Sequence, residues 1–226
     1  MESDFPKLEE KILKAWGEKQ AFEKSLNRRK KGKRFVIVTG GGRTARVYQK
    51  AALSMPSVTK DDLDWMGIHV LTVNANLIRL LFKGIADPNI ILKEPSSSVI
   101  ERFKKSKFSI FVSSGWEPGR SSDDDAIRLA KKFGAKDVID AGDISFVYNQ
   151  DPKIAKNAKK LPVLSWREYM KLIPVVWTPG MSAPFDPVAS RAAEKYGIAV
   201  KILNGKDVAN MKKAISGKEF YGTVIS

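Results

Sequence analysis

Glycines, hydroxyl residues, arginines and carboxylates gather at three places in this 226-residue chain, each beside a short apolar run. The first is Gly40-Gly41-Gly42-Arg43-Thr44-Ala45-Arg46. Glycine lets the backbone come close to a ligand, and a helix N-terminus directs free N–H groups and a positive dipole at an anion. A tight structural turn is the other reading of the same residues. The run has no Gly-Lys-Ser/Thr to make a Walker A loop, and it is not the six-residue dinucleotide fingerprint. Arg46, one turn into the helix, either returns toward the same anion or is a surface cation.

The second is Gly115-Trp116-Glu117-Pro118-Gly119-Arg120-Ser121-Ser122-Asp123, which follows an apolar run and opens a helix. Glycines, hydroxyls and one arginine at a helix N-terminus make another oxyanion cradle. Asp123 is alternatively a plain N-cap with Asp124 and Asp125 in the first turn. The third is Asp143 to Pro152, where Tyr148 and Asp151 flank a turn and could hold an adenine ring and a ribose; from these residues alone an ordinary strand and Asp-Pro turn is the favoured reading. Pro184-Phe185-Asp186-Pro187 reads as a capped helix start. His69 reads as an ordinary helix residue. Parallel sheets bind ligands beyond the carboxyl ends of their strands, so two anion cradles in one such sheet point to two phosphorylated ligands and to phosphoryl transfer.

Composition narrows the chemistry. There is no cysteine and one histidine, which excludes disulfides and thiolate metal sites and disfavours a histidine-based metal centre. Any metal is expected to be a hard ion held by oxygens, such as Mg²⁺, with no dedicated protein ligand set. No window approaches 18 uncharged apolar residues, and the acidic start Met1-Glu2-Ser3-Asp4 is unlike a secretory signal, so a cytoplasmic protein with no membrane partner is expected. The net charge is +15. Residues 1–34 hold 11 Lys/Arg against 6 Asp/Glu, and six of those cations fall in Arg28 to Arg34. Such a run is either a solvated linker or a patch for phosphate or RNA, and no aromatic residue interrupts it as a base-stacking platform would.

The elements that position these residues follow from apolar spacing. Leu8, Ile12, Leu13 and Trp16 predict a helix over 6–26, and Phe35 to Thr39 predicts a strand. Helices are expected at about 43–53, 60–82, 98–105, 123–133, 166–172, 186–197 and 206–216. Apolar runs that read as strands lie at 89–92, 108–113, 137–140, 145–148, 199–203 and 223–225. This alternation predicts an α/β fold, a mainly parallel sheet with helices on both faces.

Taken in order, the segments resemble UMP kinase of the amino-acid-kinase family. The family's strand ending in three glycines and a basic Ala-Arg-x-Tyr is matched by Gly40 to Tyr48. Its helix with Asp-x-x-Gly-Ile and Asn-Ala is matched by Asp64 to Ile68 and Asn74-Ala75. Its archaeal-type loop Pro-Gly-x-Thr-Thr-Asp is matched by Pro118 to Asp123, and Val-Tyr-x-x-Asp-Pro by Val147 to Pro152. Asp186-Pro187 and Gly222-Thr223 complete the order. The resemblance implies a three-layer sandwich and in-line transfer of the ATP γ-phosphoryl group, with Mg²⁺, to UMP. It implies a homo-oligomer, since the family forms hexamers. It places Gly41 at the UMP phosphate, Asp64 at its ribose, and Trp116, Glu117, Pro118, Gly119, Arg120, Ser121 and Ser122 around the same nucleotide. Gly42 and Arg46 would face ATP phosphate, while Gly142, Asp143, Tyr148 and Asp151 would form the ATP base and ribose pocket. Asp123 would organise the transfer site through Mg²⁺ or a lysine.

Two departures qualify the match. The family's first strand, with its glycine-rich phosphate loop, has no counterpart before Gly40. Asp4 to Leu26 instead resembles the opening helix of isoleucyl- and valyl-type class I aminoacyl-tRNA synthetases. The chain thus reads as 1–34, an amphipathic helix and basic linker in place of that strand, and 35–226, a UMP-kinase-like domain. Gly142 and Asp143 also stand where a hydroxyl residue and an asparagine are usual. The alternative expectation is therefore a kinase-like protein that binds nucleotide with impaired or no transfer, and a third is an RNA-binding appendage at residues 1–34.

Overall fold

The computed structural model describes residues 34–176 and 183–226. The helix expected over 6–26 and the basic run up to Lys33 lie outside the described residues. Of that run, Arg34 is described. Its guanidinium donates to Ser106 O at 2.9 Å and lies 5.9 Å from the Phe103 ring, so this cation is docked on the body of the protein.

In chain order the elements are β1 (Phe35–Val38), α1 (Gly42–Ala52), α2 (Lys60–Leu81), α3 (Ser97–Lys105), β2 (Ile110–Ser113), α4 (Ser122–Phe133) and β3 (Asp137–Gly142). There follow β4 (Val147–Tyr148), β5 (Lys160–Leu161), β6 (Val163–Leu164), α5 (Trp166–Met170), α6 (Pro187–Tyr196), β7 (Ala199–Asn204), α7 (Val208–Ile215) and β8 (Thr223–Ile225). β1 pairs in parallel with β2, β3 with β7 and β6 with β8; β7 and β8 are antiparallel, as is the small β4–β5 pair. The fold is therefore α/β with mostly parallel pairing.

Residue alternation along β2 explains the layers. Every residue of β2 is buried, as in a parallel strand covered on both faces. Ile110 and Val112 pack with Ala75, Ile78 and Phe82 on one side. Phe111 packs with Phe103, Leu129 and Phe133 on the other. With a side-chain period of two, α2 must then cover one face and α3 with α4 the opposite one. A second core joins Ile127 of α4 to Val200 and Ile202 of β7 and to Trp166, Tyr169, Phe185 and Ala189. Helix α4 thus packs on both β1 and β3.

The helix ends obey local chemistry. Thr59 and Asp62 form a reciprocal capping box at α2, and Ser165 with Glu168 does the same at α5. Gly134 and Gly197 close α4 and α6 in left-handed geometry. Two expectations are corrected. Residues 89–92 form no strand, only a bridge from Ile91 to Ser113, because Asp87 turns the chain by accepting from the backbone and side-chain nitrogens of Asn89. The strand expected at 145–148 shrinks to two residues, and its partner Lys160–Leu161 was not foreseen, since a two-residue pairing has too few positions to show a period.

Buried Tyr169 fixes the entry to α6. Its hydroxyl donates to Phe185 O at 2.8 Å and accepts from Phe185 N at 2.6 Å. Replacing Tyr169 by Phe leaves both backbone groups unpaired in the core, and should cost about 2 kcal/mol in urea unfolding. An unchanged midpoint and slope would contradict this role.

Candidate functional site

Two helix N-termini meet where β1 and β2 end. Thr39, just past β1, donates its hydroxyl to Leu71 O at 2.9 Å, and Asn74 donates its side-chain amide to Gly40 O at 2.8 Å. Both bonds tie the glycine run to α2. Gly41 is the N-cap of α1, and an added Cβ there would lie 2.5 Å from Ala45 Cβ and 2.8 Å from Leu71 Cδ1. Only a glycine lets the backbone pass this close to α2. At the end of β2, Ser113 is buried and donates to Ile91 O, while Ser114 shares a hydrogen bond with Thr72 of α2. The chain then makes a loop and enters α4.

Ser121 is the N-cap of α4, its oxygen accepting from Asp124 N. This corrects the reading of Asp123 as the cap: Asp123 is inside the first turn. Its Oδ2 accepts from Asp186 N at 3.0 Å, and Asp186 in turn caps α6 through Val188 N and Ala189 N. Asp186 thus does more than cap a helix, since its backbone fixes Asp123. Burial, and then the charge of Asp186 and Asp124, pushes Asp123 up to about 6, although the hydrogen bond from Asp186 N opposes the shift. Asp140, on β3, is pushed up to about 7 by burial and by the charges of Asp123 and Asp143. Asp140 was missed by motif reading; a carboxylate near the carboxyl end of a parallel strand was the available signal.

The loop before α4 is fastened at both ends. Gly119, with φ of +77°, donates its N–H to Asp64 Oδ2 on α2 at 2.7 Å. Arg120 is held by Glu117 at 2.9 Å and by buried Asp124 at 3.2 Å, and Asp124 also takes Arg128 at 2.7 Å. Beneath the loop, Asp125 is buried with one oxygen unpartnered by any described residue, and burial pushes it up to about 7. None of Asp124, Asp125 and Arg128 was singled out from sequence as more than helix dressing.

Between these parts lies one cleft. It is lined by Gly41, Gly42, Arg46 and Gln49 of α1 and its cap, Asp64 and Gly67 of α2, Arg120 to Asp123, and Asp186. Eight residues expected to contact phosphorylated ligands therefore converge. Gly42 and Arg46 share the cleft with Gly41 and Asp64. Trp116 lies elsewhere, its ring packed on the Phe111–Leu129 core, where it supports the loop from beneath. Gly142, Asp143, Tyr148 and Asp151 do not line this cleft. Gly142 ends β3, Asp143 O accepts from Asn204, Tyr148 pairs with Lys160, and Asp151 caps its own turn through Lys153 N.

The arrangement suits phosphate chemistry. The first turns of α1 and α4 offer N–H groups and positive dipole, and the serine hydroxyls add donors. Asp123 has one oxygen without a protein partner among the described residues, which suits a hard cation. Among the same residues no group of three or more His, Asp or Glu side chains could hold a metal alone. A Mg²⁺ ion fits here only as a guest shared with phosphate oxygens.

The raised carboxyls predict a pH dependence in the ligand-free protein. Asp140 titrates near 3.8 when unfolded and about 7 when folded, so its contribution is favourable below the lower value and is lost as pH rises through the upper one. Replacing Asp140 by Asn should stabilise the protein at pH 8 by up to about 4 kcal/mol, with the gain vanishing toward pH 4. A difference that does not vary with pH would refute the assignment.

Comparison with known proteins gives the same picture. The model of the amino acid kinase family matches residues 19–204. The uridylate kinase of Hyperthermus butylicus is 33% identical over 196 residues, covering 86% of this chain and 84% of that protein. The uridylate kinase of Methanocorpusculum labreanum is 30% identical over 226 residues, covering 97% and 90%. Among solved structures, uridylate kinase from Archaeoglobus fulgidus superposes with a TM-score of 0.71 at 27% identity, over 86% of this chain and 85% of that one. UMP kinase from Ureaplasma parvum, at 20% identity and a TM-score of 0.67 over 84% and 81%, shares the fold.

Proposed function

This chain belongs to the amino acid kinase family, and we infer that it is a UMP kinase, moving the γ-phosphoryl group of ATP to UMP to give UDP for pyrimidine nucleotide synthesis. The observation that carries this reading is the cleft in which the N-termini of α1 and α4, Asp64 and Asp123 converge. In the reaction the bond from the γ-phosphorus to the β,γ-bridging oxygen breaks and one to a UMP phosphate oxygen forms. Little covalent work falls to the protein, so positioning and charge neutralisation dominate.

We assign Gly41, Ser121 and Ser122 to the UMP phosphate and Asp64 to its ribose, with Glu117, Pro118, Gly119 and Arg120 closing over it and Trp116 bracing them. Gly42 and Arg46 are assigned to the phosphates of ATP, and Gly142, Asp143, Tyr148 and Asp151 to its base and ribose. Asp123 would hold Mg²⁺, with Asp140 behind it; the bound ion would neutralise charge on the phosphates. The chain's own residues bind, align and exclude water. We place the reaction in the cytoplasm; no described helix is long and apolar enough to cross a membrane. For residues 1–34 the synthetase-like resemblance, and an RNA contact through 28–34, stand as a proposal that rests on the sequence of Asp4 to Leu26 and on the basic run Arg28 to Arg34.

Incubation with Mg·ATP and UMP should yield UDP, and Asp64→Ala should weaken UMP binding at least tenfold more than ATP binding. UMP binding without UDP would leave only a nucleotide-binding role, and equal weakening of both ligands would overturn the site assignment.

We also propose that copies associate through α2. Its outward face carries exposed Trp65, Val73, Leu77 and Leu80, which is out of keeping with a solvent face. Asp61 and Asp62 lie in its first turn and Arg79 in its last, so two antiparallel copies of α2 would set opposite charges side by side. A Val73→Glu, Leu77→Glu double variant should sediment as a smaller species than the parent. Identical sedimentation would exclude this face.

A further inference from the structure

Asp64 is only half available to a ligand. Its Oδ2 accepts the Gly119 N–H at 2.7 Å, which leaves the other oxygen facing the cleft. A ribonucleotide presents two neighbouring hydroxyls, and a second polar group beside Asp64 would give each hydroxyl its own acceptor. Gln49 is that group. It lies on α1, lines the same cleft as Asp64, and is part-buried against α2.

The carboxamide of Gln49 is oriented. Nε2 donates to Leu63 O at 2.9 Å, one residue before Asp64. Its neighbours along the helix, Ala45 and Ala52, are buried and apolar, and its hydrogen bond to Leu63 O ties α1 to α2. The opposing residue is Gly67, and an added Cβ there would lie 3.0 Å from Gln49 Nε2. The carboxamide thus lies close against Gly67. Its Oε1 and second Nε2 hydrogen have no protein partner in the described residues, while a flipped amide would set Oε1 against Leu63 O. The donor is therefore fixed toward the helix and the acceptor is left for the ligand.

We propose that Gln49 is a specificity-determining residue of the acceptor site, holding the ribose 2′-hydroxyl of the nucleoside monophosphate while the free oxygen of Asp64 holds the 3′-hydroxyl. The consequence is selection for ribonucleotide over 2′-deoxyribonucleotide. The inference rests on the placement of UMP in this cleft.

The test measures equilibrium binding of UMP and dUMP to the full chain and to Gln49→Leu and Gln49→Glu. Calorimetry makes the result independent of turnover. The parent should bind UMP about tenfold more tightly than dUMP, the value of one well-placed hydrogen bond. Gln49→Leu should lose that ratio by weakening UMP alone, and Gln49→Glu, which keeps an acceptor but has no donor for Leu63 O to fix it, should lose most of it as well. Thermal melts should show each variant folded, and a variant that does not fold is replaced in the test by Gln49→Met. Loss of UMP and dUMP affinity by the same factor, or an unchanged ratio in Gln49→Leu, would overturn the proposal while leaving UMP in the cleft. Failure of the parent to bind either nucleotide would overturn the proposal together with the reading beneath it.

Discussion

Strand β2 is buried along its whole length, and the N-termini of α1 and α4 both take their positions from it. Its parallel register with β1 brings Val38 level with Ser113, so the two strands stop together. Thr39 N then bonds to Ser113 O at 3.1 Å, and the glycine run leaves from the same level as the loop to α4. Neither helix could be displaced alone. α1 is locked to α2 by the missing Cβ of Gly41, and α4 is locked to β1 and β3 by Leu129 and Ile127. A buried strand with apolar residues on both faces cannot slip register without moving every side chain to the wrong side.

From that fixed point, order passes to the carboxylates by backbone hydrogen bonds. Tyr169 holds Phe185, Phe185 leads into Asp186, and Asp186 N bonds to Asp123. The chain of contacts joins the second core to the cleft, so packing around α5 and α6 is felt at Asp123. The cost is concentrated negative charge. Asp123, Asp140 and Asp186 are all raised, burial being the largest cause in each. A phosphoryl-transfer site uses such carboxylates well once cations accompany the nucleotide. The ligand-free protein carries the unfavourable charge instead.

Much of this was legible in the sequence where one element was long or one motif was chemically complete. The helices α2 and α4 were readable from apolar spacing and from Asp61, Asp62 and Asp123 to Asp125 near their starts. Gly40 to Arg46 and Gly115 to Asp123 were readable as glycine-rich helix starts, which a tight turn or a capped helix explains as well as an anion cradle does. What was not legible depends on contacts across the chain. Asp140 looks like any strand residue until α4 brings Asp123 toward it, and Gln49 looks like a surface residue until its carboxamide meets Leu63 O. Trp116 was readable as a loop aromatic, but which way its ring turns is decided by Phe111 and Leu129. The β4–β5 pair is too short for period to reveal.

The central claim is that the acceptor phosphate rests between the N-termini of α1 and α4. Amide hydrogen exchange with and without saturating UMP, in the absence of ATP, tests it directly. Protection should concentrate at Gly41 to Arg46 and at Gly119 to Asp125, with the β4–β5 pair unchanged. Protection confined to Val147 to Leu161, with none at either helix start, would contradict the account.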